Sequence, residues 1–237
     1  MKLPISVNPC PIVEAVFEVR FETTVPKSAV FGIFYGELKQ WLGANPIDLP
    51  ILQIPEKIRQ QDPSFKFKTY YEFKNESLTL QIGPDVCMVS MKDNYTGWMN
   101  FSKEIFFLLE LLIKPGIISS FKRVAFRYIN FFEEEIYNSI NLDIHLNGKP
   151  IDYNETVLNT SFNHTNFKSN LRISNISAVN GKNGSIIDID TYSIISMNPT
   201  EFKENYNKIV EEGHNEEKQL FYNLLKQEFL QKLNPQY

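Results

Sequence analysis

The sequence predicts an α+β fold, with mostly antiparallel sheet and helices packed on one face. Three observations predict it: segments that alternate apolar and polar residues, turn residues between successive segments of this kind, and stretches with apolar residues at helical spacing. The order strand, helix, three-strand meander, helix occurs twice, in an N-terminal half (1–120) and a C-terminal half (121–237). We expect the two halves to form one compact unit.

The first predicted strand covers residues 12–22, with the sequence IVEAVFEVRFE. Its alternation gives it one apolar face and one charged face, as expected of a half-buried strand. The charged face carries Glu14, Glu18, Arg20 and Glu22. A helix is predicted over residues 27–43, because large apolar residues recur there at helical spacing. Residues 44–63, rich in proline and polar residues, predict a loop.

A meander and a helix complete the first half. Strands are predicted over residues 65–73, 77–83 and 86–92, with the turn residues Lys-Asn-Glu and Gly-Pro-Asp between them. The strongly apolar segment 100–113 predicts a helix that ends at Lys-Pro-Gly.

The second half repeats this order. It begins with a strand over residues 121–132 and a short helical segment over residues 133–140. Strands follow over residues 155–164, 167–179 and 184–195, and the turn NGKNG joins the last two. Helices are predicted over residues 199–212 and 214–233, with Gly213 as the break between them.

Composition favours a soluble globular protein of the cytoplasm. The chain has 237 residues, 43% of them hydrophobic and 22% charged. Its formal net charge is −4, whereas nucleic-acid binders usually carry a basic excess, so nucleic acid is not the expected partner. Cys10 and Cys87 form no CxxC pattern and are expected to be reduced thiols. No segment has the pattern of a signal peptide or a membrane span.

The sequence contains no motif of a known cofactor or catalytic site. We find no phosphate loop, dinucleotide fingerprint, nucleophile elbow or zinc-protease motif. The three histidines, His145, His164 and His214, are far apart and lack neighbours at metal-ligand spacing. We therefore predict no cofactor and no metal site, and nothing in the sequence indicates an enzyme.

Charged residues on predicted strands are the candidate site. Asp188 and Asp190 share one strand face, where two carboxylates can bind a divalent cation or share a proton, or simply form a solvated face. Arg127 and Arg20 lie inside strongly apolar strands. We expect Glu14 or Glu18 to form an ion pair with Arg20 or Arg127, either as a structural network or as a site for a carboxylate or phosphate ligand.

His214 opens the last predicted helix, where the helix dipole favours a neutral imidazole. A histidine at this position is typical of a cap or a packing residue, and it is also a candidate base. The helix itself is amphipathic and is expected to dock on the sheet.

Three motifs, PIVEAVFEVRF, RVAFRYINFF and IIDIDTY, together with the terminal helix, resemble a sporadically distributed bacterial family of unsettled function. The matching residues are Glu14, Arg127, Tyr128, Asn130, Asp188, Asp190, His214 and Phe221. The family's usual Gly-Leu before Arg-Tyr is Ala125-Phe126 here. The resemblance implies a scattered distribution, as for genes on mobile or defence-related elements, and it implies no reaction.

Two hypotheses of different classes follow. The first is a non-enzymatic binding or regulatory module whose partner is another protein or a second copy of the chain, because catalytic motifs are missing and aromatic residues are many. The second is an enzyme or small-ligand receptor with a polar site on the sheet face. The ligand- or partner-binding candidates are Glu14, Glu18, Arg20, Arg127, Tyr128, Asn130, Asp188, Asp190 and His214.

Overall fold

A computed structural model describes residues 2–93, 95–151, 153 and 155–237. The strands are β1 (Ile12–Thr23), β2 (Ile47–Asp48), β3 (Tyr71–Lys74), β4 (Thr79–Ile82), β5 (Val86–Lys92), β6 (Ile118–Phe132), β7 (His145–Leu146), β8 (Lys149–Pro150), β9 (Val157–Asn163), β10 (Lys168–Val179) and β11 (Lys182–Met197). The α-helices are α1 (Lys27–Leu42), α2 (Glu56–Gln61), α3 (Trp98–Ile113), α4 (Pro199–Leu224) and α5 (Gln227–Lys232).

The predicted α+β fold with mostly antiparallel sheet is confirmed. Nine strands are hydrogen-bonded in the order β2-β3-β4-β5-β1-β6-β11-β10-β9, and β7 and β8 pair separately. The pairs β3–β4, β4–β5, β9–β10 and β10–β11 are all antiparallel, as the predicted meanders require.

The chain divides into two compact units, and each draws on both halves of the sequence. Unit 1 comprises residues 1–14, 126–192 and 211–237, and unit 2 comprises residues 15–125 and 193–210. They differ from the predicted halves on either side of residue 120, because the long elements β1, β6, β11 and α4 each contribute a segment to both units.

Unit 2 buries the apolar face that the alternation of β1 predicts. Ala15, Phe17, Val19 and Phe21 are all fully buried. Helices α1 and α3 contact β3 and β5 and supply apolar stripes, for example Phe34 and Leu38 in α1.

Unit 1 has its own apolar core, built from β6, β10, β11, the end of α4 and α5. Its fully buried members include Ile136, Ile140, Ile173, Ile187 and Ile189. The predicted helical segment 133–140 is reduced to a single 3₁₀ turn at Tyr137–Ser139, where the Glu135 carboxylate accepts the Tyr137 and Asn138 backbone N–H groups.

The predicted break at Gly213 is wrong, because α4 runs without interruption through it. A Cβ atom at this position would lie 2.3 Å from the Phe126 ring and 2.9 Å from Phe167. The glycine therefore allows helix and strand to approach closely, and the packing of the long helix outweighs the roughly 1 kcal/mol that a helical glycine costs.

Two further predictions need correction in unit 2. The predicted strand 65–73 begins only at Tyr71, because Pro63–Phe65 form a 3₁₀ turn capped by Asp62, whose Oδ1 accepts the Ser64 N–H at 2.8 Å. The predicted loop 44–63 contains α2 and a 3₁₀ turn at Pro50–Gln53.

Candidate functional site

The exposed face of the unit 1 sheet carries the ion pair between Arg127 and Asp188. Arg127 Nε and Nη2 donate to the two carboxylate oxygens of Asp188 at 2.8 and 2.7 Å. Both groups lie on neighbouring strands, β6 and β11, which fixes this bidentate geometry. Strand β6 also neighbours β1, but the ion pair of Arg127 is with Asp188 on β11 and not with Glu14 or Glu18 on β1.

Acidic residues around Arg127 add to the field that Asp188 creates. The hydrogen bonds that Arg127 donates to Asp188 raise the pKa of Arg127, and the charges of Asp190 and Glu14 raise it further. Across the next strand pair, Arg172 on β10 is the register partner of Asp188, and Asn170 donates to Asp190 at 3.5 Å. The face is thus a network of positive and negative side chains, in which Arg127 forms hydrogen bonds to both carboxylate oxygens of Asp188.

The Arg127–Asp188 ion pair competes with the binding of a metal ion by Asp188 and Asp190. A divalent cation at Asp188 and Asp190 would have to displace the Arg127 guanidinium from Asp188. In the described ranges, no group of three or more His, Cys, Asp or Glu side chains is placed to hold a metal ion.

In unit 2 the charged face of β1 forms a second ionic cluster. Glu18 Oε1 accepts from Arg20 Nε at 2.7 Å and also from Arg123 Nη1. The Arg20 guanidinium lies over the Phe67 ring, 4.5 Å from its centroid. The prediction that Glu14 or Glu18 pairs with Arg20 or Arg127 is confirmed by the Glu18–Arg20 pair.

Tyr128, Asn130 and His214 lie on the opposite, helix-covered face of the unit 1 sheet and do not join Asp188. Asn130 donates to the Ile187 carbonyl at 3.2 Å, and Tyr128 Oη lies 3.2 Å from His214 Nδ1. His214 lies inside α4 and not at a helix start, because Gly213 does not break the helix. Burial lowers the pKa of His214 to about 3, so its imidazole is neutral.

One turn further along α4, Glu217 is 4% exposed. Burial raises the pKa of its carboxyl well above the usual value, with Lys218 acting weakly in the opposite direction. Sequence reasoning missed this residue, because a glutamate at helical spacing normally faces solvent.

A second feature that the sequence did not reveal joins His164, Ser169 and Glu216 in unit 1. His164 Nδ1 lies 3.0 Å from Glu216 Oε2, and His164 Nε2 lies 2.9 Å from Ser169 Oγ. The order carboxylate, imidazole, hydroxyl matches that of a nucleophilic triad. Ser169, however, is completely buried and also bonds Thr191 at 2.7 Å, so no substrate reaches its oxygen. The chain of bonds therefore fastens the β9–β10 hairpin to α4.

Unit 2 contains a groove of about 640 Å³ along α1 and α3. We call it the α1–α3 groove; its lining residues are Glu37, Gln40, Trp41, Phe107, Glu110, Leu111, Ile113, Lys114 and Lys203. The Phe107 ring is 50% exposed and lies 4.7 Å, centroid to centroid, from the Trp41 ring. Exposed aromatic rings in a concave surface are typical of binding sites.

The charged groups of the α1–α3 groove are paired with one another. Glu37 pairs with Lys114 at 2.7 Å and Glu110 pairs with Lys203 at 3.0 Å. The Trp41 indole N–H donates to Glu104 at 3.2 Å. The groove therefore offers apolar contact area between rims whose charges are already balanced.

No family model and no curated protein matches the chain. The family resemblance described above therefore stays a prediction. Among the described residues, no helix has both the length and the apolar character needed to cross a bilayer.

Proposed function

We propose that the protein is a non-enzymatic binding module of the cytoplasm whose α1–α3 groove binds an amphipathic helix of another protein. The observation that carries the proposal is the exposed Phe107 side chain, in contact with the half-buried Trp41 ring, in a groove of about 640 Å³. This volume lies within the roughly 300–1,000 Å³ of ligand sites.

The shape of the groove favours a helix as its occupant. Lining residues on both walls are spaced one helical turn apart, Glu37 and Trp41 on α1, and Phe107 and Leu111 on α3 with Lys114 directly after it. The groove thus extends for about two turns, roughly 11 Å. Helices bound in grooves use anchors at the same spacing.

The paired rims favour a protein partner over a small polar ligand. A small ligand is oriented by polar groups that converge on it. Here the charged groups form ion pairs with each other. The surface available to a partner is an apolar strip with positive and negative side chains beside it. An amphipathic helix with an apolar stripe and mixed charges beside it complements this surface.

The alternative function, an enzyme or small-ligand receptor on the charged sheet face, has less support. Both carboxylate oxygens of Asp188 are bound by Arg127, and the hydroxyl of the Glu216–His164–Ser169 chain is enclosed. The resemblance to a bacterial family supports a bacterial setting, and association with mobile or defence-related elements is part of the same proposal.

The test compares two exposed phenylalanines. Tagged wild type, Phe107→Ser and the control Phe162→Ser, whose ring on β9 is 40% exposed, are used to isolate bound proteins from the native host. We expect one partner to bind wild type and Phe162→Ser and to be lost from Phe107→Ser, with all three proteins equally folded by circular dichroism. Hydrogen exchange of the complex should then show protection over residues 37–41 and 107–114.

Three results would contradict the proposal. The partner could bind Phe107→Ser as well as wild type, or the protection could fall outside α1 and α3. Native mass spectrometry could also show that Phe107→Ser abolishes only a homodimer, in which case the groove is a self-association surface.

A further inference from the structure

A second, smaller cavity of about 150 Å³ lies in unit 2, and it is lined by a guanidinium group of which two nitrogen atoms have no hydrogen-bond acceptor among the described residues. The residues that line it are Lys27, Ser28, Phe31, Leu52, Glu56, Arg59, Gln60, Tyr70, Tyr71, Gly83 and Pro84. We call it the Arg59 cavity. It shares no lining residue with the α1–α3 groove.

The side chain of Arg59 is held in place but not satisfied. Its guanidinium lies over the Tyr70 ring, 4.5 Å from the centroid, which fixes its plane. Its Nε and Nη1 atoms are buried and have no hydrogen-bond partner in the part of the chain that the structure describes. A buried donor without a partner loses the hydrogen bonds that it made to water, and the cost is higher for a charged group, so such groups are rare in folded proteins.

Two carboxylates at or beside the cavity, those of Glu56 and Asp85, accept hydrogen bonds from residues other than Arg59. Glu56, one turn earlier on α2, accepts a hydrogen bond from Gln60 at 2.9 Å. Asp85 accepts from Lys27 at 2.6 Å. The cavity thus presents a fixed cation beside a second cation whose charge is already balanced.

Part of the remaining wall is aromatic and aliphatic. Phe31 and Tyr71 stack with their ring centroids 3.6 Å apart, and Leu52 and Pro84 add aliphatic surface. The volume is about half the lower limit of sites for drug-sized ligands, so the cavity suits a molecule of a few non-hydrogen atoms.

From these contacts we infer that the Arg59 cavity binds a small organic monocarboxylate with a compact apolar body. The carboxylate oxygens accept from the free guanidinium N–H groups, and the apolar body contacts Phe31, Tyr71 and Leu52. A dianion such as phosphate fits less well, because one unpaired guanidinium and the exposed Glu56 carboxylate leave too little positive charge for two negative ones.

The experiment uses isobutyrate as the probe, its neutral analogue isobutyramide, and inorganic phosphate, each titrated into the full chain by calorimetry and by thermal melting. Isobutyrate is expected to bind saturably and to raise the melting temperature with concentration. Isobutyramide and phosphate should bind at least tenfold more weakly.

Two variants locate the site. Arg59→Met keeps the aliphatic stem over Tyr70 and is expected to weaken isobutyrate binding at least tenfold, the usual effect of losing a charge-assisted hydrogen bond. Lys57→Met is the matched control, because Lys57 is an exposed cation on the same helix and does not line the cavity. It should bind isobutyrate as wild type does.

Stability without ligand gives an independent readout. Because the guanidinium donors are unsatisfied, Arg59→Met should have a urea midpoint equal to or above that of wild type. A lower midpoint would show that Arg59 is structural and would overturn the inference. Absence of saturable isobutyrate binding, unchanged binding by Arg59→Met, or tighter binding of phosphate would overturn it as well.

Discussion

Arg127 and Arg59 carry the same group in opposite surroundings. Arg127, with 48% of its side chain exposed, donates two hydrogen bonds to Asp188 on the neighbouring strand. Arg59 has two buried nitrogen atoms and no acceptor among the described residues. A charged residue in a strand has a structural role when its ion-pair partner lies on the next strand. A donor in a cavity that has no acceptor in the protein indicates a binding site for a ligand.

The same distinction separates the two concave surfaces of unit 2. In the α1–α3 groove every charged pair is closed and the exposed area is aromatic, which suits a macromolecular partner. In the Arg59 cavity part of the wall is apolar and the Arg59 guanidinium has no acceptor among the described residues, which suits a small anion. Substitutions that remove a partner from a satisfied group should therefore destabilise the protein, in proportion to burial.

The largest effect is expected for Glu18→Gln. Glu18 and Arg123 are nearly buried, with side chains 14% and 11% exposed, so removing the carboxylate charge weakens the interactions of two arginines in a region of low solvent access. We expect the free energy of unfolding to fall by about 3 kcal/mol, as for a broken buried pair.

Urea denaturation measures this loss, and Glu22→Gln is the matched control on the same strand. Its carboxylate is 47% exposed and pairs with Lys122 at 3.1 Å, so its removal should cost less than about 1 kcal/mol. Equal effects of the two substitutions would show that the Glu18 cluster is not stabilised by burial.

A second prediction concerns the covered face of unit 1, where burial shifts two titratable groups in opposite directions. His214 has a pKa of about 3 in the folded state, against an ordinary value of 6.5. Its contribution to the free energy of unfolding is therefore complete above pH 6.5 and is lost as the pH falls towards 3. The Glu217 pKa is raised well above 4.5, so its contribution is complete below pH 4.5 and is lost as the pH rises through the folded value. Between pH 4.5 and 6.5 the two slopes oppose each other.

Replacing either Glu217 or His214 should make the pH dependence that the other residue causes visible in the stability. Glu217→Gln should itself lose about 2 kcal/mol of stability between pH 6.5 and pH 5, because His214 alone then sets the slope, at about 1.4 kcal/mol for each pH unit. His214→Gln should instead steepen the loss of stability with rising pH. His145→Gln, an exposed histidine, serves as the control and should follow wild type. A flat difference curve for Glu217→Gln would contradict the assignment.

Elements whose sequence pattern is local were predictable. The alternation of β1 correctly identifies its buried residues Phe17 and Phe21, and the turn residues correctly identify both meanders. Gly213 was misread because its role depends on Phe126, a residue far away in the sequence that only the fold brings within 2.3 Å of its missing side chain. The intrinsic helix propensity of a residue carries no information about such a contact.

The site was less predictable than the fold. Charged strand residues stand out in a sequence, and Glu14, Arg127, Asp188 and Asp190 do come together, but Arg127 and Asp188 bind each other. Arg59 lies in a segment that reads as a loop, and nothing local distinguishes it from Lys57. Its significance comes from the absence of an acceptor, which only the folded arrangement of α2 and Tyr70 shows.

The smallest effect is expected at the Arg127–Asp188 pair itself, measured with the single variants Arg127→Met and Asp188→Asn and the double variant. Arg127 is half exposed, so solvent screening should reduce the coupling energy to about 0.5–1 kcal/mol despite the bidentate geometry. Isobutyrate binding should be unchanged in all three variants. The Arg127–Asp188 pair belongs to unit 1, where the two side chains bind each other, whereas the Arg59 cavity belongs to unit 2. A coupling above about 2 kcal/mol would place the pair with buried networks such as that of Glu18. Loss of isobutyrate binding in Arg127→Met would mean that the paired arginine, and not Arg59, meets the anion, and the contrast between the two would then be reversed.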